Sequence, residues 1–193
     1  MPEHLTSDEE RALIGQMSKN PESFRRLYRH YFPRVFAYVS YRVGAKQEAE
    51  DITATIFMKV VQSLGGFEYR GAGSFAAWVF RIAHNEVLRS RRAHREILSL
   101  EELPDIESAG LLPDEVFARK EQFARLQAAL KKLSPRRQEI ITLRFFGGLR
   151  NQEIALVLAL DERTVASHLC RGLYDLKRSM EHKPEEMTHE HQL

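Results

Sequence analysis

NQEIALVLALDERTVASHLCRG, Asn151 to Gly172, reads as two short helices joined by a three-residue turn. Ile154, Ala155 and Leu158 give the first helix one apolar face, and Asn151 is its candidate cap. The turn is Ala159-Leu160-Asp161. Asp161 offers a carboxylate to cap the second helix, and Glu162 stands at that helix's positive end. Val165, Leu169, Leu173 and Leu176 recur at helical spacing and are expected to face inward. Arg163, Thr164, Ala166, Ser167, Cys170, Arg171, Tyr174 and Lys177 are left to face partly or wholly outward. Small, hydroxyl and guanidinium side chains suit entry into a DNA major groove, where arginine can grip guanine through two hydrogen bonds. Helix-turn-helix turns often carry glycine where Ala159 stands. A left-handed backbone there costs alanine about 1 kcal/mol. The same stretch also fits an αα-hairpin that only packs.

The rest of the chain bears on that choice. Its 193 residues suffice for one ordinary domain or two small ones, and 43% are hydrophobic, enough to build a core. The formal charge of +2 neither demands nor excludes a nucleic-acid partner, so the distribution of charge matters more. One cysteine, Cys170, cannot form an intramolecular disulfide and fits a reducing compartment. No apolar run approaches the roughly 18 residues of a membrane span, and the acidic, polar start MPEHLTSDEERALIG is unlike a secretory signal. A cytoplasmic protein is expected.

Helical periodicity dominates. Phe24, Leu27, Tyr28 and Tyr31 share a face, and Pro33 is expected to break or restart that helix. Val35, Phe36, Val39 and Val43 continue to Gly44, a candidate C-terminal cap. A helix over about 46–64 buries Ala49, Ile52, Ile56, Val60 and Leu64, and shows Glu48, Asp51, Thr55, Lys59 and Gln62 on its other face. The loop GGFEYRGAG, residues 65–73, follows, with Ser74 a candidate N-cap. Phe75, Trp78, Val79, Ile82 and Val87 line the next helix, which ends in Arg89, Arg91, Arg92, His94 and Arg95. Residues 97–115 carry two prolines and only negative charge, as a linker would. Val116, Phe123, Leu126, Leu130 and Leu133 mark another helix, and Ser134-Pro135 starts one that ends at Gly147-Gly148. The expected fold is all-α, with two small helical domains joined by a flexible acidic linker and a helix-turn-helix in the second. The expected divisions are an extension over 1–19, domains at 20–95 and 115–180, a linker at 96–114 and a polar tail at 181–193.

Taken in order, these segments resemble the extracytoplasmic-function group of the sigma-70 family of bacterial transcription initiation proteins. FRRLYRHYFPRVFAYVSYRVG resembles the family's first conserved helices. AEDITATIFMKV resembles the segment that docks on the clamp helices of RNA polymerase, with Asp51 at the hallmark acidic position. GSFAAWVFRIAHNEVLRSRRAHR resembles the helix that reads the −10 element and opens the strands. LSPRRQEIITLRFFGGLRNQEIALVLALDERTVASHLCRGLYDLK resembles the −35-binding domain. The resemblance covers about residues 20–180.

The resemblance implies a dissociable specificity subunit of core RNA polymerase that acts on promoter DNA, is often held by an anti-sigma factor, needs no cofactor and catalyses nothing itself. It assigns polymerase docking to Glu48, Asp51, Thr55 and Lys59. In similar proteins a loop like 65–73 captures a base flipped from the −10 element. Phe67, Tyr69 and Arg70 offer stacking faces and phosphate contacts there, with Ser74, Asn85, Arg89 and Arg92 beside them. Phe67 and Trp78 also fit an apolar core, Glu48 and Asp51 a solvated helix start, and the basic run a solvated face. In the second lobe, Ser167 and Arg171 are assigned to bases, Ala166 and Cys170 to the groove wall, and Arg163, Thr164 and Lys177 to phosphate. Arg136 and Arg137, near a helix start, are candidates for the backbone or the polymerase. Cys170 has no partner thiol for redox chemistry, and His182, His189 and His191 lack metal-site spacing.

Two other readings compete. A stand-alone repressor needs a dimer to match two half-sites, and the sequence offers no heptad seam to make one. A helical enzyme needs a site, and neither GxxxxGK[ST] nor HExxH occurs.

Overall fold

The computed structural model describes residues 5–17, 19–98 and 125–181, and every regular element among them is helical. The proposed linker and polar tail lie almost wholly outside these residues, as do Val116, Phe123 and the three tail histidines. The first lobe contains α1 (Ser7–Gln16), α2 (Pro21–Val43), α3 (Lys46–Ser63), a 3₁₀ turn at Leu64–Gly66, and α4 (Ser74–Leu98). The second contains α5 (described over 125–131), α6 (Pro135–Phe145), α7 (Asn151–Leu158) and α8 (Glu162–Glu181).

Local chemistry sets the boundaries. Thr6 and Glu9 close a reciprocal capping box at the start of α1, the Thr6 N–H donating to Glu9 at 2.8 Å. Asn20 caps α2, accepting from the Glu22 N–H at 3.0 Å, with Pro21 in the first helical position. Gly44 ends α2 at φ 86°, a backbone that glycine adopts without strain.

Contrary to the expected break, α2 runs unbroken through Pro33. An interior proline costs about 3 kcal/mol through one lost hydrogen bond and a ring clash. Here buried Tyr31 and Val35 flank it on one apolar stripe, and their packing holds both halves in line. Two proposed caps are also displaced. Asn151 is already inside α7, and the Glu153 carboxylate instead reaches back to the Arg150 N–H at 2.7 Å. The Ser74 hydroxyl donates to the Gly71 carbonyl at 2.7 Å and accepts from the Arg70 N–H at 3.2 Å, so it closes the preceding loop.

The two lobes share one core. Leu27, Val35, Tyr38 and Val39 of α2, Ala49, Ile56 and Val60 of α3, and Phe75, Val79, Phe80 and Ala83 of α4 are continuous with Ile140, Leu143, Ile154 and Val165. A smaller cluster of Ala129, Leu130, Leu133, Ile141 and Leu176 binds α5, α6 and α8 together.

Polar contacts cross the same boundary. The Glu139 carboxylate of α6 is buried, and three groups from the first lobe meet it. Tyr38 donates to it at 2.6 Å, His84 Nδ1 lies at 2.9 Å, and Arg42 pairs with it at 2.8 Å. Arg42 and Glu139 side chains are each only 6% exposed. Arg34 donates to the carbonyls of Gly147 and Gly148 at 2.9 and 3.1 Å, and Arg81 donates to the Leu156 carbonyl. Tyr41 stacks on Phe146 with centroids 4.5 Å apart. Gly147 is needed here: a Cβ would stand 2.7 Å from the Leu143 carbonyl and 2.8 Å from the Phe80 ring.

Burial pushes the Glu139 carboxyl upward, but the His84 hydrogen bond, the Arg42 charge and Tyr38 outweigh it and hold it below the ordinary carboxylate value of 4.5. The contribution of this ionised group is therefore complete above about pH 4.5 and is lost as pH falls through the lowered folded-state value. Thermal denaturation followed from pH 7 to pH 3 is expected to show an acid-dependent loss of stability that is smaller in Glu139→Gln.

Candidate nucleic-acid interface

The turn of the α7–α8 pair is built as a reading helix requires. Ala159 sits at φ 53°, ψ 50°, the left-handed backbone that makes alanine a strained choice. The Leu160 N–H returns to the Ala155 carbonyl at 3.0 Å. Asp161 then caps α8: one carboxylate oxygen accepts from the Thr164 N–H at 2.7 Å and the other from the Thr164 hydroxyl at 2.6 Å. These hydrogen bonds, the hydroxyl's first, hold the Asp161 carboxyl below its ordinary value. Thr164 is thus occupied at the cap and half-buried.

On α8, Val165, Gly172 and Leu176 are buried, and Leu169 packs partly against both cores. Leu173, expected to face inward, is 40% exposed. Gly172 takes the inner position instead, because a Cβ there would lie 2.7 Å from Ile141 Cδ1. That close approach of α8 to α6 rotates the neighbouring leucine outward. Sequence periodicity missed it because glycine carries no apolar signal.

The outward stripe contains Arg163, Ala166, Ser167, Cys170, Arg171, Tyr174 and Lys177, all exposed. Three of these are cationic, and the small residues lie between them. Such a face lets a helix approach a groove closely while its guanidinium groups reach base edges or phosphate. Arg137, one of the two cations near the α6 start, is paired with Asp175 of α8, and Arg136 is exposed.

In the first lobe, Gly71 and Gly73 take positive φ values of 114° and 81° in the 65–73 loop. Phe67 is half-buried, 5.3 Å from the Phe75 ring centroid and 4.8 Å from that of Trp78, so its ring braces the loop against α4. Tyr69 is half-buried, with the Arg11 guanidinium of α1 5.7 Å from its ring centre. Arg70 is exposed and pairs with Glu68 at 3.1 Å. Along α4, Asn85, Arg89 and Arg92 are exposed and spaced by four and three residues, forming one stripe. Arg81 is turned to the second lobe. His94 and Arg95 lie on α4, and their side chains are outside the described set.

The four docking candidates on α3 separate by environment. Asp51 is exposed. Thr55 returns its hydroxyl to the Asp51 carbonyl at 2.9 Å. Glu48 accepts from the Ser90 hydroxyl at 2.6 Å, and Lys59 pairs with Glu86 at 2.5 Å, so both tie α3 to α4. Beside Asp51, Met58 and Val61 are 59% and 51% exposed and border a shallow apolar groove with Phe24 and Tyr28. The sequence reading named neither, because Met58 falls on the Asp51 face, where only polar residues were traced, and Val61 falls between the two stripes.

Comparison with known proteins places the two lobes. Residues 27–97 match the sigma-70 region 2 family, and residues 123–176 match sigma-70, region 4. The ECF RNA polymerase sigma factor BldN of Streptomyces coelicolor is 34% identical over 172 residues, covering 88% of this chain and 63% of that protein. The ECF RNA polymerase sigma factor SigX of Bacillus subtilis is 29% identical over 172 residues, covering 86% of this chain and 88% of that protein. The fold is also that of the sigma factor RpoE crystallised with the anti-sigma factor NepR from Bartonella quintana, at a TM-score of 0.65 and 22% identity over 82% of this chain and 97% of that one.

Replacing the strained Ala159 with glycine is expected to raise stability in urea denaturation by about 1 kcal/mol, since it relieves a left-handed alanine. A loss of stability would show that the alanine methyl packs favourably enough to offset the strain.

Proposed function

The chain belongs to the sigma-70 family, in its extracytoplasmic-function group, and from that premise we propose that it is an alternative sigma factor directing core RNA polymerase to a set of promoters. The observation that carries this reading is the pairing within one chain of two different surfaces. One is the exposed, capped α8 stripe with Arg163, Ser167, Cys170 and Arg171. The other is the region 2 lobe with exposed Asp51 and the Asn85–Arg89–Arg92 stripe. A repressor would need only the first of these.

The 20–95 lobe docks on the polymerase and opens the −10 element, and the 115–180 lobe reads the −35 element. Asp51 is the leading docking residue. Thr55 stands beside it, and Glu48 and Lys59 shape the docking face by fixing α3 on α4. Tyr69 and Arg70 meet the displaced −10 strand, and Phe67 and Ser74 hold their loop in form. Asn85, Arg89 and Arg92 follow the same strand through phosphate and base-edge contacts. Ser167 and Arg171 read −35 bases against the wall of Ala166 and Cys170. Arg163 and Lys177 grip phosphate, and Thr164 sets the start of the reading helix.

The protein works in the cytoplasm beside polymerase, needs no cofactor and performs no catalysis of its own. No described helix is long and apolar enough to cross a membrane. An anti-sigma factor is its expected regulator, a reading supported by the complex formed by the Bartonella relative.

Co-purification with core RNA polymerase tests the docking assignment. Asp51→Arg is expected to weaken that association while leaving duplex binding through α8 intact. Unchanged assembly would remove Asp51 from the docking surface. Arg171→Ala is expected to relax sequence preference at one −35 base pair by about 1–3 kcal/mol in competition binding. A uniform loss across all −35 sequences would make Arg171 a phosphate contact.

A further inference from the structure

The 65–73 loop is flanked by a helix to which neither reading stripe belongs. α1 precedes residues 27–97, the part of the chain that matches sigma-70 region 2, yet its Arg11 guanidinium stands over the Tyr69 ring. The seat of α1 is firm. Leu13 and Met17 are buried in the core, and the buried Glu10 carboxylate accepts from the Tyr31 hydroxyl. The Tyr31 ring meets Phe75 at 5.3 Å, and Phe75 meets Phe67 of the loop at 5.3 Å. One run of rings supports both α1 and the loop, so Arg11 and Tyr69 keep their places relative to each other.

The positive charge at this spot is unspent. Asp8, Glu9 and Glu10 are the acids in the first turn of α1. Glu9 accepts from the Thr6 N–H and hydroxyl at 2.8 and 2.9 Å, and Glu10 is engaged by Tyr31. Arg70, the loop's own cation, is paired with Glu68. Arg11 is exposed and forms no ion pair among the described residues. A ring face attracts a guanidinium but supplies no acceptor oxygen to its five N–H donors. Those donors remain free for an anionic oxygen.

We propose that Arg11 is a further binding residue for the displaced −10 strand: Tyr69 stacks a base, and Arg11 takes the phosphate of the same nucleotide. The inference rests on the sigma-factor reading above and enlarges the strand site from the loop to α1. Single strands are held by this pairing of groups, an aromatic face for the base and a cation that tracks the backbone. Arg70 has to release Glu68 before it meets a phosphate, whereas Arg11 has no acid to release. Arg11 therefore governs affinity and salt dependence rather than the choice of base, since a phosphate contact carries no sequence information directly.

The holoenzyme, reconstituted from the full chain and the source organism's core polymerase, provides the test. It first selects a single-stranded DNA from a randomised oligonucleotide pool, with core polymerase alone as the counter-selection. Arg11→Gln is expected to weaken binding of the selected oligonucleotide about tenfold and to lower the slope of log affinity against log salt by about 0.7, the value for one single-strand phosphate. Arg11→Lys is expected to restore the slope. Weaker binding with an unchanged slope would make Arg11 only a brace for Tyr69 and overturn the phosphate contact.

Methylphosphonate linkages, which remove one phosphate charge at a time, locate the contact. One linkage is expected to cost the wild type about tenfold and Arg11→Gln nothing, as a double-mutant cycle requires of two groups that touch. The same sensitive linkages in both proteins would overturn the proposal. So would a wild-type scan with no sensitive linkage, a result that depends on no variant's folding. If the wild-type holoenzyme selects no strand beyond what core polymerase selects alone, the sigma-factor reading fails and the contact with it.

Discussion

A carboxylate buried between two lobes governs this structure. Glu139 is charged, almost wholly removed from water, and placed on a helix whose own lobe supplies none of the three partners described above. An ion in that position is tolerable only if other groups replace its hydration. Tyr38, Arg42 and His84 do so, and they fix where α6 lies against α2 and α4. The Gly147 close approach and the Tyr41–Phe146 stack follow from that seating. The lobes therefore meet in a defined register, through an apolar core pinned by a polar centre.

The same seating organises the surfaces that touch other molecules. On the first lobe, Glu48 and Lys59 tie α3 to α4, leaving Asp51 to face outward while Asn85, Arg89 and Arg92 form a separate stripe. On the second, Gly172 lets α8 settle against α6, and Asp161 squares off its N-terminus. Neither surface is created by the joint between lobes. Each would keep its local shape if the joint parted, because its supporting contacts are internal to its own lobe.

Much of this was legible in the sequence because it depends on local periodicity. The stripes Ile56–Val60 and Val79–Val87, the Gly44 cap, the left-handed demand on Ala159 and the capping role of Asp161 all follow from residue type and spacing. Pro33 misled because buried neighbours outweighed a local penalty, and Ser74 because its hydroxyl could turn backward as easily as forward. Leu173 misled because Gly172, silent in any hydrophobic pattern, took the inner position. The Glu139 cluster was invisible for a different reason. Its members come from three helices far apart in the chain, and each polar residue on its own helix looks like surface. Of the candidate site, the exposed Asp51 and the α8 stripe could be read directly. Phe67 already fitted the apolar core from its sequence, and the structure packs it there; that Glu48 and Lys59 spend their side chains on contacts with α4 could be learned only from their neighbours in space.

The covalent connection through residues 99–124 gives the joint between lobes a further property. Two surfaces held on one chain meet at an effective concentration set by the length of chain between them, which can lie far above that of separate molecules in a cell. A contact that combines a shared apolar core with a polar centre is strengthened further by being intramolecular. Cleavage of that one segment would turn an intramolecular equilibrium into a bimolecular one, and dilution would part the halves. The tether thus sets the strength of the closed state as surely as the side chains do, and its length is a variable that sequence change can tune without touching either lobe.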